Sequence, residues 1–336
     1  MKYDSRFDKI KALIGQTPIL QIRLKYKGEM RKIFAKAEYF NLTGSIKDRV
    51  AYYIMKKGYE TGLIKPNDTI AEATSGNTGI AFAAVGRNLG HSVRIYMPDW
   101  MSSERINMMK SYGAEVILVS KEQGGFLGSI AMAEEFGKKT SVFLPRQFSN
   151  EDNCEAHYYL TGDEISRQLA SLGLTADGIV AGVGTGGTVM GVGRRLKKDN
   201  PDCGIFPLEP TNSPTLSTGY KTGAHKIQGI SDEFVPDILK LDECASIVSV
   251  NDVDSIIMAQ MLACELGIGV GISSGANLLG AIAAGNIIGA DKTIVTVFAD
   301  DNKKYLSTDY SVKQTPEPGF MTNDIELVDV KSYRLD

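Results

Sequence analysis

The chain has 336 residues, 43% hydrophobic and 23% charged, with a formal net charge of −3. These values are ordinary for a globular protein of about two domains and argue against a phosphate-backbone-binding surface, which needs clustered Lys and Arg. The run RRLKK (194–198) is short and reads as a solvated face.

The first residues, MKYDSRFDKIKALIG, contain no apolar stretch of signal-peptide length, and no other run is long enough to span a bilayer. The expectation is a cytoplasmic protein with no membrane or nucleic-acid partner. Strands are predicted at 33–39, 69–73, 93–98, 116–119 and 141–145, and again at 178–182, 204–209, 246–250 and 293–298. Between them lie runs with helical spacing that end in Gly, such as 106–113 and 255–267. Alternation of this kind implies parallel sheets covered by helices. The boundary is expected near Asn150, ahead of a long helical stretch from 151 to 170. The tail after Gln314 is polar and is expected to wrap the surface. Cys154, Cys203, Cys244 and Cys264 form no CxxC pair, and with only His91, His157 and His225 no metal cluster is expected.

Three stretches carry chemistry. GVGTGGT (182–188) follows a strand and opens a helix, where free N–H groups and the helix dipole favour an anion. Gly182, Gly184 and Gly187 satisfy the dinucleotide fingerprint, and Glu209 lies where a ribose-binding acid would sit, so an NAD-dependent oxidoreductase is one reading. Tight strand–helix turns needing small residues are another. In EATSGNTGI (72–80), Thr74, Ser75, Asn77 and Thr78 are able to hold a carboxylate, or Ser75 or Asn77 to act as an ordinary cap. In NLTGSIKDRV (41–50), Lys47 is expected one turn into a helix, a position that usually means a surface lysine.

Taken together, SxKDR around Lys47, SGNTG, GTGGT and GISSGA (271–276) occur in the order and spacing of another family. The chain resembles the fold-type II pyridoxal-phosphate enzymes of the cysteine synthase (O-acetylserine sulfhydrylase) and cystathionine β-synthase family over nearly its whole length. IGQTPIL (14–20), RQFSN (146–150), KIQGI (226–230) and YLST (305–308) are similar to that family as well.

The resemblance implies two three-layer α/β domains with mostly parallel twisted sheets and the cofactor in the cleft between them. The smaller domain would be 41–150, and the larger 1–40 with 151–336. It implies a homodimer, a small amino-acid substrate, and pyridoxal 5′-phosphate held as a Schiff base on Lys47. Gly184, Thr185, Gly186, Gly187 and Thr188 would bind the phosphate, Asn77 the ring hydroxyl, and Ser274 would face the ring nitrogen. Thr74, Ser75, Thr78 and Gln147 would hold the substrate carboxylate. The freed Lys47 would remove the Cα proton, giving an α-aminoacrylate open to attack at Cβ.

The chain departs from the family at four places. Leu42 and Ala73 stand where the family usually has prolines, and FADDNKKYLST (298–308) replaces a Ser/Gly-rich run. Ser231-Asp232-Glu233 stands where cysteine synthases read Gly-Ala-Gly near the cofactor; cystathionine β-synthases carry an acid at the position of Glu233. An acid added to a tight pocket is costly unless paired or used. Asp232 is therefore expected as the base that activates water or a thiol for attack at Cβ, with water favoured, making L-serine and hydrogen sulfide from L-cysteine, and with Glu233 in a structural bond. The competing expectations are cysteine synthesis from O-acetyl-L-serine and sulfide with Asp232 turned outward, and cystathionine or lanthionine formation. A non-catalytic scaffold would have no physical need for the lysine and both anion turns together.

Overall fold

A computed structural model describes residues 5–231 and 233–335. Among the described residues, eleven strands form two sheets. In chain order they are β1 (Ile19–Tyr26), β2 (Glu29–Ala37), β3 (Thr69–Ala73), β4 (Val93–Pro98), β5 (Glu115–Val119) and β6 (Val142–Phe143). They continue as β7 (Gly178–Gly182), β8 (Gly204–Pro210), β9 (Val248–Val250), β10 (Ile294–Phe298) and β11 (Ile325–Tyr333). The larger sheet has the order β11-β1-β2-β10-β7-β8-β9 and the smaller β5-β4-β3-β6.

The smaller sheet is parallel throughout, and so is the larger from β2 to β9. The larger sheet's central strands GIVAG and IVTVF are buried almost throughout because helices cover both faces. One core fills each side of the larger sheet, and a third packs the smaller sheet against its helices. The chain is thus a two-domain α/β protein of the expected class.

Several elements differ from expectation. The residues after Gln314 do not merely wrap the surface: β11 pairs antiparallel with β1 from Ile19↔Tyr333 to Tyr26↔Ile325. Cross-strand Arg23–Asp329 and Lys25–Glu326 pairs join them. Neither strand was expected. β1, ILQIRLKY, shows the alternating burial of a half-exposed antiparallel strand, and β11 acquires its role only from that partner. The strand expected at 141–145 shrinks to Val142–Phe143, since Ser141 has φ 63° and Pro145 has no N–H to give a ladder. The helical stretch after Asn150 is interrupted by a π-helical turn, His157–Gly162, between Asp152–Ala156 and Asp163–Ser171.

Candidate active site

Four turns leave the carboxyl ends of parallel strands β2, β3, β7 and β10, where open α/β sheets bind ligands. Lys47 is the first residue of the helix Lys47–Glu60, not one turn in. The preceding turn is held from several sides. Gly44 has φ +76° and its N–H donates to Asn41 O at 2.9 Å, while Ile46 N–H donates to Ala299 O at 2.8 Å. Lys304 Nζ donates to Gly44 O at 2.8 Å. Asp48 accepts Thr43 N–H at 2.7 Å and Thr43 Oγ1–H at 2.6 Å. Burial pushes Asp48 up to about 6, against the lowering effect of Thr43.

The turn after β3 opens the helix Asn77–Asn88, whose N-terminus has no side-chain cap, so neither Ser75 nor Asn77 plays that part. Thr78 Oγ1 donates to Gln147 Oε1 at 2.6 Å, and Gln147 Nε2 donates to Ala73 O at 2.7 Å. Arg146, at φ 52°, turns the chain into Gln147. Glu72 accepts Ala73 N–H at 2.9 Å and Gln147 N–H at 3.2 Å. A proline at 73 would have no such N–H, so the departure from the family pattern adds a hydrogen bond here. Burial raises Glu72 to about 7.

After β7, the glycines make room. A Cβ on Gly184 would lie 2.4 Å from Gly229 O, one on Gly187 would lie 2.2 Å from Asn153 Oδ1, and Gly186 has φ +85°. Thr185 Oγ1 accepts from Asn153 Nδ2 at 2.9 Å, and the same Nδ2 donates to Gln147 O at 2.8 Å. Asn153 thus ties the 184–188 turn to the Gln147 segment. Beneath Thr188, His157 Nε2 lies 3.2 Å from Thr188 Oγ1, and burial holds this imidazole well below its usual range.

One cavity is lined by Lys47, Thr74, Ser75, Asn77, Thr78, Gln147, Gly184, Thr185, Gly186 and Thr188. The expected groups from both sheets therefore face one space, apart from Gly187, which packs against Asn153, and Ser274. Ser274 does not line it: Ser274 Oγ accepts Ala299 N–H at 3.0 Å, and Ser273 lines the cavity instead. Successive helical residues point about 100° apart, and here that offset turns Ser274 toward Ala299 while Ser273 faces the cavity. Asp232 lies outside the described residues. On one side of it Ser231 (φ 53°) donates N–H to Val183 O at 2.7 Å; on the other Glu233 pairs with Lys221 at 3.7 Å. Ser231 and Glu233 border a second space, which shares Ser75, Gln228, Gly229 and Ile230 with the first.

Pyridoxal phosphate fits this donor set. A lysine amine, a helix N-terminus whose turn excludes side chains, and Asn77, whose Oδ1 is buried with no partner among the described residues, surround the space. A dinucleotide fits less well, because Glu209 is already spent: it accepts Leu216 N–H at 2.7 Å and Ser217 N–H at 3.2 Å. Sequence reasoning missed Ser273, Asn153, His157, Arg105 and Asp300. Buried polar residues that support a site leave no local pattern in the chain; for Asp300 the one signal was the departure at 298–308.

Comparison with known proteins agrees. The family described as pyridoxal-phosphate dependent enzyme matches residues 10–300. A cysteine synthase of Staphylococcus aureus is 42% identical over 301 residues, 90% of this chain and 96% of that one. The crystal structure of a hydrogen sulfide-producing enzyme from Fusobacterium nucleatum has TM-score 0.96 and 56% identity, covering 98% of this chain and 99% of that chain. A D232N mutant of that hydrogen sulfide-producing enzyme, solved in complex with an α-aminoacrylate intermediate, has TM-score 0.97 and 55% identity over 99% of this chain and 100% of that one.

Proposed function

Because this chain belongs to the pyridoxal-phosphate dependent enzymes of the cysteine synthase and cystathionine β-synthase type, we propose that it catalyses β-replacement on L-cysteine with water, releasing L-serine and hydrogen sulfide. The observation that carries the reaction class is the convergence of Lys47, the 74–78 turn, Gln147 and the 184–188 turn on one cavity. Bound pyridoxal phosphate supplies the electron sink that lets the Cα proton depart and the Cβ–S bond break. The backbone N–H groups of 184–188 would hold its phosphate, Asn77 would meet its ring hydroxyl, and Ser273, in place of Ser274, would face its ring nitrogen. Thr74, Ser75, Thr78 and Gln147 orient the substrate carboxylate. Lys47 anchors the cofactor and takes the proton from Cα.

The choice of water as the second reactant rests on Asp232. A carboxylate beside Cβ repels hydrosulfide and accepts a proton from water as its oxygen attacks. Two things support this reading: the neighbours Ser231 and Glu233 border the space next to the cavity, and the D232N mutant of the similar hydrogen sulfide-producing enzyme was solved with an α-aminoacrylate. The second reading, cysteine synthesis from O-acetyl-L-serine and sulfide, is favoured by the Staphylococcus aureus relative. Cystathionine or lanthionine formation would need a thiol acceptor. Incubation of purified protein with L-cysteine alone separates them: serine and sulfide in equal amounts support the proposal. With Asp232→Asn, sulfide should still be released in a first turnover while serine formation stalls. Serine at the unmodified rate would remove Asp232 from the mechanism and bring cysteine synthesis forward.

A further inference from the structure

A chain of polar side chains runs around the 74–78 turn. Arg105 Nη1 donates to Ser75 O at 3.3 Å, and Arg105 Nη2 donates to Tyr305 Oη at 3.1 Å. Tyr305 O–H donates to Asp300 Oδ2 at 2.7 Å, and Asn77 Nδ2 donates to the same oxygen at 2.7 Å. The path leaves the turn at Ser75 and returns two residues later at Asn77. Asp300, Tyr305 and Arg105 are all buried to within 1% of full burial. A Cβ on Gly271 would lie 2.1 Å from Asp300 Oδ1, so the carboxylate sits at the N-terminus of the 17-residue helix Ile272–Ile288, where the dipole favours negative charge.

The direction of these bonds matters. An ionised carboxylate only accepts, whereas an asparagine amide presents a donor on one side and an acceptor on the other. Beside Asp300 only the Nδ2 end of Asn77 fits, so the amide cannot flip. Asn77 Oδ1 is left buried and without a partner among the described residues. We infer that Asp300 is a positioning residue that locks the Asn77 amide in one orientation toward the cofactor's ring hydroxyl, with Tyr305 and Arg105 bracing Asp300 and the Ser75 end of the turn. The inference rests on the reading that Asn77 meets the cofactor. It also gives a physical role to the stretch where this chain departs from a Ser/Gly-rich run.

The test uses the holoenzyme, with two readouts: the position of the cofactor's visible absorption band, and the rate of cofactor loss on dialysis. Asn77→Ala should move the band and speed the loss. Asp300→Asn, nearly isosteric, should move the band the same way and speed the loss about tenfold, as expected for a hydrogen bond to a charged group. Tyr305→Phe should act in the same direction by about threefold, less than Asp300→Asn because Tyr305 reaches Asn77 only through Asp300, and carries the test if Asp300→Asn does not fold. A merely structural Asp300 would lower the melting temperature and leave the band in place, which would overturn the inference. If Asn77→Ala moves the band while Asp300→Asn and Tyr305→Phe do not, the inference falls and the placement of Asn77 stands. If Asn77→Ala is silent, that placement fails and takes the inference with it.

Discussion

Two buried polar regions lie two residues apart in the chain and are built on opposite rules. Around Arg49 the charges are closed. Arg49 holds Glu38 at 2.6 and 2.7 Å and Glu164 at 2.7 and 2.8 Å, and Lys36 reaches Glu164 Oε2 at 2.9 Å, Thr17 O at 2.6 Å and Gln168 Oε1 at 2.9 Å. Two cations meet two anions, and the set ties β2 to the helices that begin at Lys47 and Asp163. Around Lys47 the set is open: Asn77 Oδ1, Asn153 Oδ1, Arg105 Nε and Asp300 Oδ1 are buried with no partner among the described residues. A satisfied network rigidifies, while orphaned polar atoms cost free energy until something binds them.

The largest expected effect comes from the open side. Lys47→Ala should abolish turnover and leave the fold intact, with sulfide release as the assay and circular dichroism as the control. Borohydride reduction followed by mass spectrometry should find the cofactor on Lys47 in the parent protein; another lysine would refute the site. On the closed side, Arg49→Met should cost about 3–5 kcal/mol of unfolding free energy, because two buried carboxylates lose their partner. Denaturant unfolding measures it, and a loss below about 1 kcal/mol would contradict the comparison.

Two carboxylates give the comparison a pH signature of opposite sign. Burial alone would raise Glu164, but the Arg49 hydrogen bonds and charge override it and hold Glu164 at about 2. Its contribution is present above the unfolded value of 4.5 and is lost as pH falls toward 2. Glu72 is shifted the other way, from 4.5 to about 7, so the folded state binds its proton more tightly than the unfolded chain does. That contribution is present below 4.5 and is lost as pH rises toward 7. Each amounts to on the order of 3 kcal/mol at most. Unfolding free energy followed from pH 4 to 8 in the parent and in Glu72→Gln checks the second: the variant should lose part of the decline between pH 4.5 and 7.

Smaller effects refine the open side. Gln147→Ala should weaken substrate use by about 1–3 kcal/mol in kcat/KM, with cofactor content unchanged. Ser274→Ala should cost about 1 kcal/mol of stability, the value of one buried hydrogen bond, whereas Ser273→Ala should alter the cofactor's absorption and not stability. The reverse pattern would restore Ser274 to the ring.

Much of this molecule was legible in its residues. Short β-branched strands such as GIVAG and IVTVF, alternating with helical patterns and glycine- or hydroxyl-rich turns, determine a parallel α/β fold, because backbone period and turn chemistry are local properties. The same locality made Lys47 and the 74–78 and 184–188 turns readable. Only the tertiary structure decided the rest. It paired β11 with β1 across about 300 residues of chain, turned Ser273 rather than Ser274 to the cavity, and brought Asp300, Tyr305 and Arg105 against Asn77. Each of these depends on which distant surface a side chain meets, and nothing within a few residues of chain specifies that.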